Sequence, residues 1–262
     1  MPIPLNWATV KSVRPQMQAP MPRLCKVATA GWAIPRAVAE RFPVEGSALE
    51  RYAGRFDAAE INSTFYRSHR ESTYARWVTS TPAGFRFAVK LPRSITHEAR
   101  LVDALPLAEA FRAEVLALGD KLGPLLVQLP PSLAFAAEVA DPFFAALRAL
   151  WPGTIVCEPG HPSWFEAEAD ALLAAHHVGR VAADPARHPA AASPGGWSGV
   201  AYWRLHGSPR MYYSAYEEPA LQALAGDIRG AGASEIWCVF DNTTSGAAAA
   251  NALDLQVLLA GT

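Results

Sequence analysis

Short apolar runs alternate with segments of helical periodicity along most of this chain. Apolar runs bounded by turn residues predict strands, and the amphipathic segments between them predict helices. The predicted strands are residues 24–30, 58–65, 85–91, 125–129, 154–158, 179–184, 200–205 and 235–240. The predicted helices are residues 47–56, 72–79, 106–122, 142–150, 165–176, 219–229 and 247–259.

Strands that alternate with helices eight times predict an α/β fold, a single TIM-type (β/α)8 barrel over residues 24–262. A doubly wound open sheet is the alternative. The chain has no GxGxxG motif after the first strand and no P-loop, so a dinucleotide-binding version of that sheet has no support. Residues 1–23 are rich in proline and predict a loose N-terminal extension, and residues 185–199 predict a long functional or mobile loop in place of a helix.

Composition narrows the class of partner. A net charge of −1 and a pI near 6.7 do not favour a general binder of nucleic acid or of membrane surfaces. The three cysteines, Cys25, Cys157 and Cys238, lie in apolar runs without any CxxC pair, which is typical of reduced thiols in a cytoplasmic protein. Since no apolar run reaches the length of a membrane span, we expect no membrane-spanning helix.

Polar residues follow almost every predicted strand at its carboxyl end. The active site of a parallel barrel lies on that face, so these residues are the candidates for chemistry. The predicted catalytic residues are Glu60, Lys90, Glu158, Asp184 and His206. The predicted substrate-binding residues are Asn62, Tyr66, His97, Gln128, His161, Trp164, Arg204 and Asn242.

Three strand ends carry the strongest of these signals. Period-two alternation places Glu60, Asn62 and Thr64 on one face of the second strand, and Arg204 and His206 on one face of the seventh. Lys90 ends the third strand, where a lysine with a lowered pKa forms Schiff bases. Its alternatives are to neutralise a phosphate or to form a buried ion pair with Glu60 or Glu158. The alternative for Glu60 is an ion pair with Lys90 or Arg204.

The fifth strand ends in Cys-Glu-Pro-Gly-His-Pro-Ser-Trp, residues 157–164. A carboxylate, an imidazole and an indole together are typical of a site for a polar organic ligand. The alternatives are that Trp164 packs at a helix start and that Ser163 is an ordinary N-cap. His97 is a base, a metal ligand or a solvated loop residue.

An anion site is predicted near the last two strands. Arg204 suits bidentate capture of phosphate or carboxylate, and residues 242–246 lead directly into a helix whose first N–H groups bind anions. Tyr212, Tyr213 and Tyr216 are candidates for a pocket wall. Ordinary capping by Thr244 or Ser245 is the alternative reading of that turn.

These segments together resemble the YecE-like family, also called domain of unknown function 72. The matching stretches are Gly31-Trp32, Tyr52 with Phe56, residues 60–66, Trp77 with Thr81-Pro82, residues 85–90, 95–97 and 128–131, Glu158 with residues 161–164, Ala183-Asp184, residues 202–207, Phe240 with Asn242, and Asn251-Ala252. The resemblance covers residues 24–259 and implies a TIM-type barrel, without implying a reaction.

Two positions depart from the pattern that the resemblance implies. Members of that family usually carry an arginine just before the histidine of the fifth-strand motif, where this chain has Gly160. Either Arg187 or Arg210 substitutes for that arginine, or the anion site or the activity is lost. Asp241 stands where a small polar residue is more usual.

Three functions remain open on the sequence. The first is an enzyme, whether hydrolase, lyase or isomerase, that acts on a phosphorylated or otherwise anionic small molecule by acid/base chemistry. The second is a metal-dependent phosphoester hydrolase, with nucleic acid as a less favoured substrate; its candidate ligands are Glu158, Asp184, His206, His161 and His97. The third is a non-catalytic ligand-binding barrel, and a two-carboxylate glycosidase ranks below the first. The sequence specifies no cofactor, metal or oligomeric state.

Overall fold

The computed structural model describes residues 25–261, in which parallel strands alternate with helices. The N-terminal extension predicted for residues 1–23 lies outside the described residues. The strands are β1 (Cys25–Thr29), β2 (Ala58–Ile61), β3 (Arg86–Lys90), β4 (Leu122–Gln128), β5 (Ile155–Glu158), β6 (Val178–Arg180), β7 (Ala182–Asp184), β8 (Gly195–Gly196), β9 (Val200–Leu205) and β10 (Glu235–Phe240). The α-helices are α1 (Ala48–Ala53), α2 (Glu71–Thr79), α3 (Leu105–Val115), α4 (Ala137–Leu150), α5 (Ala167–Ala175), α6 (Glu218–Gly230) and α7 (Ala247–Ala260).

The strands form two sheets. One has the order β1-β10-β9-β7, and the other has the order β2-β3-β4-β5-β6-β8. Within residues 25–261 the pairs are parallel except that of β6 with the two-residue β8. The expected α/β class with parallel strands is therefore confirmed.

The two sheets adjoin at two points. Ala30 and Glu60 form a parallel bridge beyond the ends of β1 and β2, and Gly31 N–H donates to Glu60 O at 2.8 Å. On the other side, Val181 alone separates β6 from β7, and its N–H donates to Cys157 O at 2.8 Å. The strand predicted over residues 179–184 is thus divided between the two sheets.

The buried apolar side chains form two clusters. The larger cluster joins the strands to the helices that cover them. The smaller cluster consists of residues from seven strands, β1 to β5, β9 and β10, together with Val181 between β6 and β7. Its strand residues are Ala28, Ala58, Ala88, Leu126, Val156, Val200, Tyr202, Trp237 and Val239. Layers of side chains from successive parallel strands fill the interior of such folds and support the site at the strand ends.

Several predicted boundaries differ from the observed ones. The second strand ends at Ile61, and Ser63–Phe65 forms a 3-10 turn, because Thr64 Oγ1 donates to Ile61 O at 2.8 Å and to Lys90 O at 2.7 Å. The alternation predicted to continue through Thr64 is therefore wrong. The loop at residues 185–199 contains a 3-10 turn, Pro189–Ala192, and β8. Among the helices in the described part of the chain, none has the length and apolar character needed to cross a bilayer.

Candidate functional site

Arg204 lies at the centre of a buried group of charges. Its side chain is 0% exposed. Its Nε and Nη2 donate to Glu60 Oε2 and Oε1 at 3.1 and 2.7 Å, its Nη1 donates to Glu158 Oε2 at 2.6 Å, and its Nη2 donates to Asp241 Oδ2 at 3.0 Å. The guanidinium thus contacts three carboxylates that come from the ends of β2, β5 and β10. We call Glu60, Glu158, Arg204, His206 and Asp241 the carboxylate–arginine network.

His206 completes the network from the same face of β9. Its Nε2 lies 2.8 Å from Glu158 Oε1, and its Nδ1 lies 3.1 Å from Asp241 Oδ2. Burial by itself lowers the pKa of His206, but the charges and hydrogen bonds of the two carboxylates outweigh burial and raise that pKa to about 9. His206 is therefore an imidazolium at neutral pH, with both ring N–H groups donated to carboxylates.

Glu158 and Asp241 remain ionised at neutral pH. Burial acts to raise the pKa of each carboxyl, but Arg204 and His206 oppose it and hold both pKa values below their usual range. Gln128 Nε2 donates to Glu158 Oε1 at 3.3 Å. The strand ends that carry these side chains are adjacent, since Gln128 pairs with Glu158 in the register of β4 and β5.

Lys90 is the third cation at this site, and it is not part of the network. Its side chain is 5% exposed, and its Nζ lies 4.1 Å from the centroid of the Phe65 ring. Burial and the charge of Arg204 lower its pKa to about 8, against the opposing effect of the nearby carboxylates. The alternative in which Lys90 forms an ion pair with Glu60 or Glu158 is not observed, because Arg204 holds both oxygens of Glu60 and Arg204 and His206 together hold those of Glu158.

A cleft of about 180 Å³ opens beside the network. Glu158 and His206 are the network residues that line it, together with His97 and the exposed Arg187. Burial, followed by the charges of Lys90 and Arg93, lowers the pKa of His97, so this imidazole is neutral at pH 7. The remaining lining residues are Gln128, Leu129, Pro131, Pro159, Gly160, Phe165, Ala183, Pro185, Ala191, Met211 and Tyr212.

Two predicted site residues have a different function in the fold. Asp184 Oδ2 accepts a hydrogen bond from Tyr216 Oη at 2.6 Å, and this carboxylate does not join the network. Trp164 is 1% exposed, and its indole N–H donates to Leu133 O at 2.9 Å. The structure therefore places Trp164 in the core, in agreement with the alternative reading of that residue as a packing side chain.

The two asparagines occupy the edge of the site. Asn242 is fully buried, and its Nδ2 donates to Ser214 O and to Asn251 Oδ1, each at 3.0 Å. These bonds hold the loop after β9 against α7. Within the described residues, the buried Oδ1 atoms of Asn62 and Asn242 have no hydrogen-bond partner.

The remaining predicted binding residues lie on the loops. Tyr66 is 71% exposed. His161 Nδ1 accepts from Ser163 N at 3.2 Å and caps the 3-10 turn Pro162–Phe165, while Ser163 Oγ accepts from Phe135 N at 2.7 Å. The N-cap expected of Ser163 is therefore supplied by the histidine.

The anion site predicted from Arg204 is not available in this form. That guanidinium is fully buried and donates four hydrogen bonds to three carboxylates, so its charge is already neutralised and it does not face an external anion. Residues Thr244 and Ser245 do not cap α7 either; its N-cap is Gly246 at φ 80°, and Ser245 Oγ donates to Tyr213 O at 2.6 Å. Among residues 25–261, Arg187 lines the cleft without a salt bridge. Lys90 is also without a salt bridge there but does not line the cleft; its amine contacts the same Phe65 ring as His97, which does.

Asp241 and Tyr202 belong to the site but are not among the site residues predicted from the sequence. Tyr202 Oη donates to Glu60 Oε2 at 3.0 Å. Period two along β9 places Tyr202 with Arg204, so that signal was available. Asp241 follows Phe240, whose register partner is Leu205, and it is therefore level with His206; only the strand pairing reveals this.

The five proposed metal ligands are not brought together. Glu158 and His206 contact each other, whereas Asp184 is bonded to a tyrosine, His161 caps a turn, and His97 Nδ1 lies 2.8 Å from Thr96 Oγ1. In the described range no group of three or more His, Cys, Asp or Glu side chains is arranged to hold a metal ion. The guanidinium of Arg204 is the cation that the three carboxylates surround.

Gly160 has no room for a side chain. A Cβ at this position would lie 2.8 Å from Pro131 N, 2.9 Å from Pro131 Cα and 3.1 Å from Leu129 O, all of them backbone atoms. Of the two arginines expected to compensate, Arg187 lines the same cleft, and Arg210 instead lies over the ring of Tyr213 at 3.9 Å.

We therefore expect Gly160→Ala to destabilise the protein by about 1–3 kcal/mol, because the backbone must shift to admit the methyl group. Chemical denaturation of the variant and of wild type measures the loss. Gly84→Ala is the matched control, since a Cβ there meets nothing within 4 Å. Equal stability of the two variants would contradict the expected clash, and it would make Gly160→Arg a usable substitution.

Comparison with known proteins identifies relatives of the whole fold. The family model described as "Protein of unknown function DUF72" matches residues 26–262. The chain is 33% identical over 84 residues to UPF0759 protein YecE of Escherichia coli strain K12. That alignment covers 32% of this chain and 31% of YecE, so it spans about a third of the length of this relative.

Two solved structures are similar over nearly their full length. A DUF72 family protein from Thermotoga maritima MSB8 is 25% identical with a TM-score of 0.75, and the match covers 90% of this chain and 99% of that one. A DUF72 family protein from Enterococcus faecalis V583 is 18% identical with a TM-score of 0.74, and the match covers 90% and 96% of the two chains. The latter similarity concerns the fold alone.

Proposed function

This chain belongs to the family of unknown function DUF72, and from the geometry of its site we propose that it is an enzyme that transfers protons on a small anionic substrate. The family name assigns no reaction, so the proposal rests on the site itself. The observation that carries it is a single cleft lined by an ionised carboxylate, a protonated imidazole, a neutral imidazole and Arg187, which has no salt bridge among residues 25–261.

We also propose that the two sheets are two parts of one TIM-type barrel. The Ala30–Glu60 bridge joins them on one side, and the continuation of β6 into β7 across Val181 joins them on the other. In such a barrel the active site lies at the carboxyl ends of the strands. Glu60, Glu158 and Asp241 occupy or directly follow those ends.

The anionic character of the substrate follows from the balance of charge. The network holds three carboxylates against two cations, Arg204 and His206, and those charges satisfy one another through hydrogen bonds. Lys90 and Arg187 remain for a ligand. A phosphate or carboxylate group receives charge-assisted hydrogen bonds from such side chains, whereas a neutral ligand leaves them unused.

The protonation states divide the catalytic roles. His97 is neutral and lines the cleft, so it is the proposed general base. The His206 imidazolium and the Glu158 carboxylate have fixed opposite charges and are proposed to stabilise charge that develops on the substrate. A lyase or isomerase step, in which a proton leaves a carbon next to a carbonyl, needs this set of groups.

Two alternatives receive less support from the geometry. A glycosidase needs one carboxylic acid with a raised pKa, but the pKa of Glu158 is lowered and Glu60 is fully buried against Arg204. A non-catalytic binding protein would use the same cleft, and conversion of a bound compound separates it from an enzyme. Since Cys25, Cys157 and Cys238 are free thiols, we retain the cytoplasm as the proposed location.

The anion proposal is tested by thermal shift and calorimetry with small phosphorylated sugars and carboxylates and with their neutral analogues. We expect wild type to bind the anionic members selectively, and we expect Arg187→Gln to weaken that binding about tenfold by removing a charge-assisted hydrogen bond. Arg55→Gln is the matched control, because Arg55 is exposed and precedes β2 at the opposite ends of the strands. Neutral analogues that bind as tightly as the anions, or an Arg187→Gln variant with unchanged affinity, would remove the proposal.

A further inference from the structure

We propose that Lys90 is a nucleophile that forms an imine with the carbonyl carbon of a small aldehyde or ketone. This inference deepens the proposed function and rests on it, because the anionic group in the cleft is proposed to place the carbonyl near Lys90, whose amine contacts the same Phe65 ring as the cleft-lining His97. It adds to general acid/base chemistry a covalent step and a chemical class of substrate, a carbonyl compound that carries a phosphate or carboxylate.

The lysines of the described chain are used in different ways. Lys26 Nζ forms a salt bridge with Asp57 at 3.3 Å. Lys121 Nζ donates to Val78 O at 2.6 Å and to Thr81 Oγ1 at 2.8 Å, so its amine is fixed by the fold. Lys90 Nζ, in contrast, has no hydrogen bond or salt bridge to any residue in 25–261, although the Lys90 residue is almost fully buried.

The reason that Lys90 is unpaired lies in the network. Glu60, Glu158 and Asp241 all influence the Lys90 amine electrostatically, yet each directs its oxygens to Arg204 or His206. Lys90 Nζ is not among the fully buried polar atoms without a partner in residues 25–261, so the amine remains accessible to a small molecule. A structural lysine would be paired, so the arrangement favours a lysine that reacts.

The surroundings supply the neutral amine that attack on a carbonyl requires. Burial and then the charge of Arg204 lower the pKa of Lys90 to about 8, while the three carboxylates oppose them. About a tenth of the molecules therefore carry a neutral Lys90 amine at pH 7, against roughly three in ten thousand for a solvated lysine. His97, which is neutral, lies with its ring 4.9 Å from the same Phe65 ring that Lys90 contacts.

The step balances without any oxidant or cofactor. The neutral amine attacks the carbonyl carbon, a C–N bond forms, and the carbonyl electrons move to oxygen. One proton passes from the attacking nitrogen to that oxygen, for which His97 is the proposed carrier, and a second proton is taken from solvent. The C–O bond then breaks, water leaves, and a protonated imine remains on Lys90.

The size and the charge of the site limit the carbonyl compound. The cleft of about 180 Å³ is smaller than the roughly 300–1,000 Å³ of most ligand pockets, so it suits a substrate of a few carbon atoms. Arg187 lines the cleft and is the proposed partner of the anionic group. A two-carbon aldehyde that carries a carboxylate is therefore the simplest probe.

The experiment treats the full-length wild-type protein with glyoxylate and sodium cyanoborohydride, which reduces an imine to a stable carboxymethyl amine. Peptide mass spectrometry then gives the rate of modification of each lysine. We expect Lys90 to be modified at least about tenfold faster than Lys26 at pH 7, with a rate that levels off above pH 8. Modification of Lys90 no faster than that of Lys26 overturns the inference, and no variant that could misfold is needed.

A second arm separates this inference from the proposed anion site. Glycolaldehyde replaces glyoxylate, and Arg187→Gln is compared with Arg55→Gln. We expect Arg187→Gln to slow the modification of Lys90 by glyoxylate far more than its modification by glycolaldehyde. If both aldehydes modify Lys90 equally and Arg187→Gln affects neither, the imine is supported and the anion site fails. If glyoxylate raises the melting temperature but does not modify Lys90, the anion site is supported and the imine is overturned.

Discussion

Replacing Arg204 by methionine is expected to leave little folded protein at pH 7. The guanidinium is fully buried and donates to Glu60, Glu158 and Asp241, so its removal leaves the buried Glu60 without its cation and leaves Glu158 and Asp241 with His206 alone. Breaking one buried ion pair by removing a partner costs about 3–5 kcal/mol, and domains are typically stable by only about 5–15 kcal/mol. Because Arg204 contacts three buried carboxylates, we expect the free energy of unfolding lost in Arg204→Met to reach or exceed about 5 kcal/mol, the upper end of the cost of breaking one buried pair.

The measurement is urea denaturation at pH 7, followed by far-UV circular dichroism. Arg180→Met is the matched control. Arg180 is also buried, but among the described residues its salt bridge is with one partly exposed carboxylate, Asp170, and its other bonds go to backbone carbonyls such as Ala190 O. We expect Arg180→Met to lose clearly less stability than Arg204→Met. Arg204→Lys keeps the charge without the bidentate geometry, and it is expected to fall between Arg204→Met and wild type.

The pH dependence of Arg204→Met gives a second readout. Without the guanidinium, burial raises the pKa values of the remaining carboxyls, and they take up protons at mildly acidic pH. The difference in stability between wild type and Arg204→Met should therefore narrow as the pH falls from 7 to 5. A variant within about 1 kcal/mol of wild type at pH 7 would show that the network contributes far less than its burial implies.

His206 is expected to make the protein less stable as the pH rises from 6.5 to 9. Its pKa is about 9 in the folded protein, against about 6.5 for an unperturbed histidine. A group whose pKa is raised by folding contributes its full stabilisation below the unfolded pKa, and that contribution is lost as the pH rises through the folded pKa. The shift corresponds to roughly 3 kcal/mol at pH 6, falling toward zero above pH 9.

The measurement compares the unfolding free energies of wild type and His206→Gln between pH 6 and pH 9.5. The advantage of wild type should be largest near pH 6 and should shrink toward pH 9. Lys90 has the opposite effect on stability, because its lowered pKa destabilises the fold below about pH 8 and this cost falls as the pH rises further. Both proteins contain Lys90, so the difference between their unfolding free energies reduces this contribution. His177→Asn, at an exposed position with φ 53°, should leave the pH dependence of wild type unchanged. A constant difference between wild type and His206→Gln across this range would mean that His206 does not change protonation as proposed.

The strand pattern of the sequence was sufficient for the α/β class and for the face of the fold that holds the site. The strands at Val200–Leu205 and Glu235–Phe240 match the predicted ranges, because each is a nearly continuous apolar run that is buried along its length. The second strand was predicted to continue to residue 65, yet it ends at Ile61. Local composition favours extension there, but hydrogen bonds from the Thr64 hydroxyl to two carbonyls, one of them on the neighbouring β3, make the turn more stable.

The sequence identifies candidate residues by their position at strand ends. What each residue does depends on the side chains that it contacts in the fold. Period two alone places Arg204 and His206 on one face, and both do join the network. From the sequence, Arg204 is predicted to bind an external anion, because arginine makes bidentate contacts with phosphate and carboxylate groups. The structure shows it surrounded by carboxylates from β2, β5 and β10, which are up to 144 residues away along the chain.

The sequence by itself determined the order of the strands and helices, the end of the strands at which polar side chains collect, and membership of the family through motifs that span the chain. Only the tertiary structure determines which carboxylate of the site pairs with which cation. It placed the three carboxylates around Arg204, made His206 a cation, kept His97 neutral and left the Lys90 amine without a salt bridge among residues 25–261. Protonation and pairing depend on distances of about 3–4 Å and on exclusion of water, and both arise only when strands far apart in sequence lie side by side.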